Sequence, residues 1–94
     1  MLILITYDVA TSSDGGEQRL RHVARTCLDY GQRVQNSVFE CEVNGAQYTE
    51  LKARLLRIID PDHDSLRIYY LGKTPKVEHY GAKATYDIRG SLIV

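Results

Sequence analysis

A single aspartate, Asp8, closes an apolar run that opens at Leu2. Along a strand its phase matches Leu2 and Leu4, so it shares their face. A carboxylate among such neighbours is either buried at a cost or put to use. If two copies met on that face about a two-fold axis, two Asp8 side chains would approach each other. Paired carboxylates suit a hard cation such as Mg²⁺, with Mn²⁺ the alternative, because such an ion keeps several waters and needs few protein ligands. Water on such an ion becomes a nucleophile toward phosphate. The competing reading is an aspartate that caps the loop after the strand.

The second group is basic. From Gly16 to Gln35, Arg19, Arg21, Arg25 and Arg33 stand against two acids, Glu17 and Asp29. Arginine forks match phosphate oxygens; the plainer reading is a solvated helix face. Arg21 and Arg25 lie one turn apart on one helix edge, with Arg19 on the other side of the apolar stripe. Tyr7 and Phe39 could stack on bases, although aromatics at apolar strand phases favour the core. His22, His63 and His79 show no metal-ligand spacing and there is no Cys-x-x-Cys pair, which argues against a zinc site. No phosphate-cradling glycine loop and no Ser/His/Asp order is present.

These side chains need a scaffold, and 94 residues are enough for one domain, 1–94. The chain is 44% apolar and 26% charged, with zero formal net charge. That balance excludes a general polycation and leaves room for a local basic patch. No run of 18 apolar residues exists, so no membrane span is expected. The opening Leu2-Ile3-Leu4-Ile5 has no basic lead and no small-residue cleavage site, so a cytoplasmic protein is expected. Cys27 and Cys41 then stay reduced and, at apolar phases, serve as core filler.

Leu2–Val9 reads as a strand covered on both faces. Ala10–Gly16 is a polar loop with Asp14-Gly15 as its turn signal. A helix spans about Glu17–Tyr30, with Leu20, Val23, Ala24, Cys27 and Leu28 as its apolar stripe and Gly31 as its stop. Arg33–Val43 is strand-like, split by a tight turn at Asn36-Ser37 or else one bent strand. A second helix spans Ala46–Ile59, with Tyr48, Leu51, Leu55, Ile58 and Ile59 inward and Pro61 at its exit. Leu66–Leu71 is a strand, and the tail holds β-like pieces at Val77–Tyr80, Ala84–Ile88 and Leu92–Val94.

This order is βαββαβ with extra C-terminal strands, an α+β ferredoxin-like sandwich with both helices on one sheet face. Large side chains on the other face of the first strand and of Leu66–Leu71 then require a cover. A homodimer supplies it, and the tail of about 76–94 can add a strand at the interface between copies.

Several segments carry a resemblance. They are Leu4-Ile5-Thr6-Tyr7-Asp8-Val9, then Arg21 with the helix behind it, and Tyr30-Gly31-Gln32-Arg33-Val34-Gln35-Asn36-Ser37-Val38-Phe39-Glu40. Asp64-Ser65-Leu66-Arg67-Ile68-Tyr69-Tyr70-Leu71 completes them. The chain resembles the CRISPR-associated protein 2 family over most of residues 1–71, and Gly81–Asp87 with Gly90–Val94 looks like one subgroup of it. The resemblance implies a ferredoxin-like homodimer of prokaryotic antiviral defence that acts in spacer acquisition. There the dimer bridges copies of the CRISPR-associated integrase, protein 1 of the same system, and lies along foreign DNA. For some members it implies a metal-dependent endonuclease on single-stranded RNA or double-stranded DNA. Asp8 matches the family's metal-binding aspartate, and Tyr7, Arg19, Arg21, Arg33 and Phe39 match positions implicated in nuclease activity. Two functions follow as expectations: a Mg²⁺-dependent phosphodiesterase, and a non-catalytic adaptor that holds DNA through Arg19, Arg21, Arg25 and Arg33. Fold alone would also permit a small-molecule-binding dimer.

Overall fold

The computed structural model describes residues 1–72 and 76–82. In chain order these form β1 (Leu2–Asp8), α1 (Gly16–Leu28), β2 (Gly31–Gln35), β3 (Val38–Glu42), α2 (Gly45–Ile58), β4 (Ser65–Tyr70) and β5 (Lys76–Gly81). The strands make one antiparallel sheet in the order β2-β3-β1-β4-β5. The expected α+β ferredoxin-like sandwich is therefore present, with one extra strand hydrogen-bonded to β4 of the same chain. The tail pieces expected at 84–88 and 92–94 lie outside the described residues.

Strand alternation sorts the two faces of the sheet. Ile3, Ile5 and Tyr7 of β1 are buried on one face, and in register Ile5 sits between Phe39 and Ile68. Val23 and Cys27 from α1 and Tyr48, Leu51 and Leu55 from α2 join the same core, so both helices cover that face. Each fully buried Leu, Ile or Phe contributes about 1.5–3 kcal/mol relative to exposure. The other face carries Leu4 between Glu40 and Tyr69, and Thr6 between Val38 and Arg67. Leu4, Val38, Tyr69 and Val77 remain only half-buried there. Among the described residues, no helix is long and apolar enough to cross a membrane.

Helix ends and turns follow local chemistry. Asn36-Ser37 is indeed the two-residue connection between β2 and β3. At α2 the Asn44 side chain accepts from Gln47 N at 2.8 Å, and the Gln47 side chain accepts from Asn44 N at 2.9 Å. This capping box starts the helix at Gly45, one residue before the expected Ala46. Helix α1 ends at Leu28, and Gly31 begins β2 instead of stopping the helix. A Cβ at Gly31 would strike the Glu40 carbonyl and the Cys41 sulfur, so glycine is required for β2 to approach β3.

One buried carboxylate ties three connections together. Asp64 has no exposed surface and accepts hydrogen bonds from Ala10 N at 3.0 Å and Asp60 N at 2.8 Å. Arg19 Nε donates to it at 2.8 Å and Arg19 Nη2 at 3.3 Å. Its main-chain oxygen accepts from Ala82 N at 2.8 Å. Next to it Gly81 has a φ of 108°, and a Cβ there would overlap that same oxygen. The loop after β1, the loop before β4 and the end of β5 thus converge on Asp64.

Burial pushes the Asp64 carboxyl up, but Arg19 and the backbone N–H donors outweigh it and hold the carboxyl below its ordinary value. A depressed carboxylate stabilises the fold above its unfolded pKa, and the effect is lost as pH falls through the lower folded value. Asp64→Ala is expected to cost about 3–5 kcal/mol in urea unfolding, the range for breaking a buried ion pair. Asp64→Asn should flatten the loss of stability that the parent protein shows below about pH 4. The thiols supply a second expectation. Both cysteines are buried and unbonded; burial pushes Cys27 up to about 12 and Cys41 up to about 11. Neither should react with a thiol reagent at neutral pH until denaturant opens the core.

Candidate functional site

Asp8 is the last residue of β1, exposed, and opposite Ser65 of β4. It belongs to the same face as Leu2 and Leu4, the face the helices leave uncovered. Among the described residues no three His, Cys, Asp or Glu side chains form a metal-ligand cluster. Asp8 is the hard oxygen ligand that the sequence reading assigns to this position. That donor set fits an ion that keeps most of its waters only when a second copy adds its own Asp8.

Tyr7, one residue earlier, points to the other face and is buried. Its ring stacks with Phe39 at 6.1 Å between centroids and 20° between planes, and its hydroxyl lies 3.5 Å from the Asn36 carbonyl. Burial pushes that hydroxyl up from its ordinary value. Phe39 is fully buried, which settles the stacking question by geometry: a ring without exposed surface cannot lie against a nucleobase. Phe39 instead supports Arg33, whose guanidinium sits 5.1 Å from the ring centroid in a cation–π contact.

The arginines separate into different settings. Arg19 is held by Asp64, by Ser13 Oγ at 2.6 Å and by the Asp14 carbonyl at 2.6 Å. Its fork is filled by the protein itself, so its direct task is to fix the loop that follows Asp8. Arg21 is exposed and lines a shallow polar concavity formed by Thr11–Gln18. Arg33 is exposed on the edge strand β2.

Arg25 belongs to a different group, on the helix layer. With His22 it faces Arg54 and Arg57 of α2 across a groove whose floor includes Thr26 and Ile58. The sequence reading placed all the basic character between Gly16 and Gln35 and so missed Arg54 and Arg57. Their spacing of three on α2, away from the Leu51 and Leu55 stripe, was a readable signal. What one sequence could not give was the packing that sets them beside Arg25. Arg54 itself is anchored, donating to Asp29 Oδ2 at 3.0 Å and to Tyr30 Oη at 3.4 Å.

The geometry thus brings Asp8 to one side of the sheet and the Arg25 group to the other. Tyr7, Phe39 and Arg33 form a stack between these regions, and Arg19 braces the loop after Asp8.

Comparison with known proteins then places the chain. The family described as CRISPR associated protein Cas2 matches over residues 1–78. The CRISPR-associated endonuclease Cas2 of Halalkalibacterium halodurans is 60% identical over 95 residues, 99% of either chain. The CRISPR-associated endoribonuclease Cas2 of Nitratidesulfovibrio vulgaris is 56% identical, covering 100% of this chain and 94% of its own. The crystal structure of Streptococcus pyogenes Cas2 at pH 6.5 has a TM-score of 0.72 and 58% identity, over 79% of this chain and 89% of that one. With a match across the whole βαββαβ unit and relatives this similar along their full length, the chain belongs to the CRISPR associated protein Cas2 family.

Proposed function

We propose that this chain is a CRISPR-associated endonuclease, a cytoplasmic hydrolase of phosphodiester bonds in RNA or DNA that works as a homodimer. The observation that carries this reading is the position of Asp8: an exposed carboxylate at the tip of β1, on the uncovered sheet face. Two relatives bear the names endonuclease and endoribonuclease. The half-buried Leu4, Val38, Tyr69 and Val77 give that face an apolar centre, and closing it against a second copy gains about 25 cal/mol per Å² of apolar surface. Residues 1–94 act as one domain.

In this reading the two Asp8 carboxylates hold Mg²⁺, or Mn²⁺ in its place. When bound, the ion supplies a water of lowered pKa as nucleophile. The chain's own residues set the frame. Arg21 and Arg33 offer guanidinium groups to phosphate oxygens. Tyr7 and Phe39 act beneath the surface, Phe39 keeping Arg33 in place. Arg19 positions the backbone after Asp8, because the carboxylate it grips also binds Ala10 N.

A second reading is favoured by a specific observation: Arg25 and Arg57, in no ion pair among the described residues, gather on the helix layer. Here the dimer is a non-catalytic DNA-holding adaptor that bridges CRISPR-associated integrase subunits, protein 1 of the same system, during spacer acquisition. Arginines that neutralise phosphates hold a duplex without reading its bases.

Two measurements separate the readings. Under the nuclease reading, Asp8→Ala and chelator each reduce cleavage of labelled RNA and DNA to background while nucleic-acid binding persists. Cleavage that survives in Asp8→Ala protein defeats that reading and leaves the adaptor. The pairing of copies has its own check by sedimentation. The parent chain should run as a dimer, and Leu4→Lys as a folded monomer without cleavage activity.

A further inference from the structure

On the layer opposite Asp8, His22, Arg25, Arg54 and Arg57 rim a groove of about 290 Å³ between α1 and α2, with Thr26 and Ile58 at its base. The charges in it are only partly balanced: Glu50 of α2 accepts from the Tyr30 hydroxyl beside Arg54. Asp29 pairs with Arg54 at 3.0 Å, and Arg54 also lies 5.5 Å from the centroid of the Tyr30 ring. Arg25 and Arg57 enter no ion pair among the described residues. Among the described residues no carboxylate lines the groove. Two exposed guanidinium groups thus face each other across a helix pair, beside a third held rigid by its partners.

We infer that this groove is a phosphate-backbone site for nucleic acid, separate from the Asp8 face, with Arg25 and Arg57 as its contacts and Arg54 as a fixed wall. The inference rests on the nucleic-acid reading above but not on metal chemistry at Asp8. Guanidinium forks match phosphate oxygens in pairs. A base made of one threonine and one isoleucine offers little to read a base or seat a protein side chain. Binding here is therefore tolerant of sequence and strongly dependent on salt. It has a geometric consequence. If two copies join through their uncovered sheet faces, their grooves point outward on opposite sides. A strand gripped by a groove is then held away from the Asp8 pair, so holding and cutting are separate events on this scaffold.

The test is duplex binding as a function of salt, with a labelled DNA of mixed sequence. The variants are Arg25→Gln/Arg57→Gln and a charge-matched pair placed in neither site, Lys52→Gln/Lys76→Gln, each checked for an unchanged melting transition. Losing two phosphate contacts lowers the slope of log K against log salt by about 1.8. Raising salt fourfold, from about 50 to 200 mM, then costs the groove variant about twelvefold less affinity than it costs the parent. That drop, larger than the drop in the matched pair, supports the site. An unchanged slope, as a groove that seats an acidic protein would give, overturns it. So does an equal drop in both pairs, which would reflect net charge alone. Either result leaves the chelator and Asp8→Ala assays untouched, so this inference fails independently of the nuclease reading.

Discussion

A carboxylate shut away from water must have its acceptor sites filled, and Asp64 sets that constraint for this fold. Four donor atoms converge on it, two from the backbone and two from Arg19. Removing any of them leaves a buried charge partly bare, which costs more than the bond itself is worth. The requirement therefore fixes three stretches of chain at once: the exit from β1, the approach to β4 and the turn at Gly81. It also decides which arginine is available for other work. Arg19 lies nearer in sequence to Asp8 than the other arginines, yet its fork belongs to Asp64.

The second constraint is the one-sidedness of the sheet. Both helices pack on the face of Ile3, Ile5 and Tyr7, so Leu4, Val38 and Tyr69 stay half-exposed on the other. That asymmetry gives the two faces different uses. The uncovered face has an apolar centre with Asp8 at its rim, suited to a contact between copies. The covered face presents the outer surfaces of α1 and α2, where long polar side chains are free to collect. Residues one position apart on β1, Tyr7 and Asp8, thereby end in unlike surroundings, one stacked in the core and one exposed.

Much of this was legible in the sequence because the signals were periodic. The strand at Leu2–Asp8 and the stripe Tyr48, Leu51, Leu55 are properties of a single element, and both appear in the structure, although within the chain only one face of that strand is covered. Asp8 was placed on the right face by counting along its strand. What escaped depended on packing between elements distant in the chain. Nothing local marks Asp64 as buried, because Arg19, which reaches it, lies 45 residues earlier. The Arg25, Arg54 and Arg57 group was invisible for the same reason. Gly31 read as a helix stop because a glycine after a helix usually is one; its actual reason is the nearness of β3, a tertiary fact.

A chain of zero net charge can still handle a polyanion if its acids and bases are segregated. Here segregation arises from pairing more than from position. Asp64 takes Arg19, Asp29 takes Arg54, and Glu78 takes Lys52 at 3.5 Å. Each pair is nearly neutral from a distance. Arg21, Arg25 and Arg57, in no ion pair among the described residues, then outnumber the exposed Glu17 and Glu50 along the helix layer. Glu40, half-buried, and Glu42, exposed, lie in β3 with side chains on the opposite face of the sheet, while Glu17 and Glu50 are exposed acids on the helices. Screening over about 8–10 Å in physiological salt keeps the charges of the two sides from cancelling across the thickness of the domain. A phosphate backbone approaching the helices therefore meets cations at close range while the overall charge of the protein stays at zero.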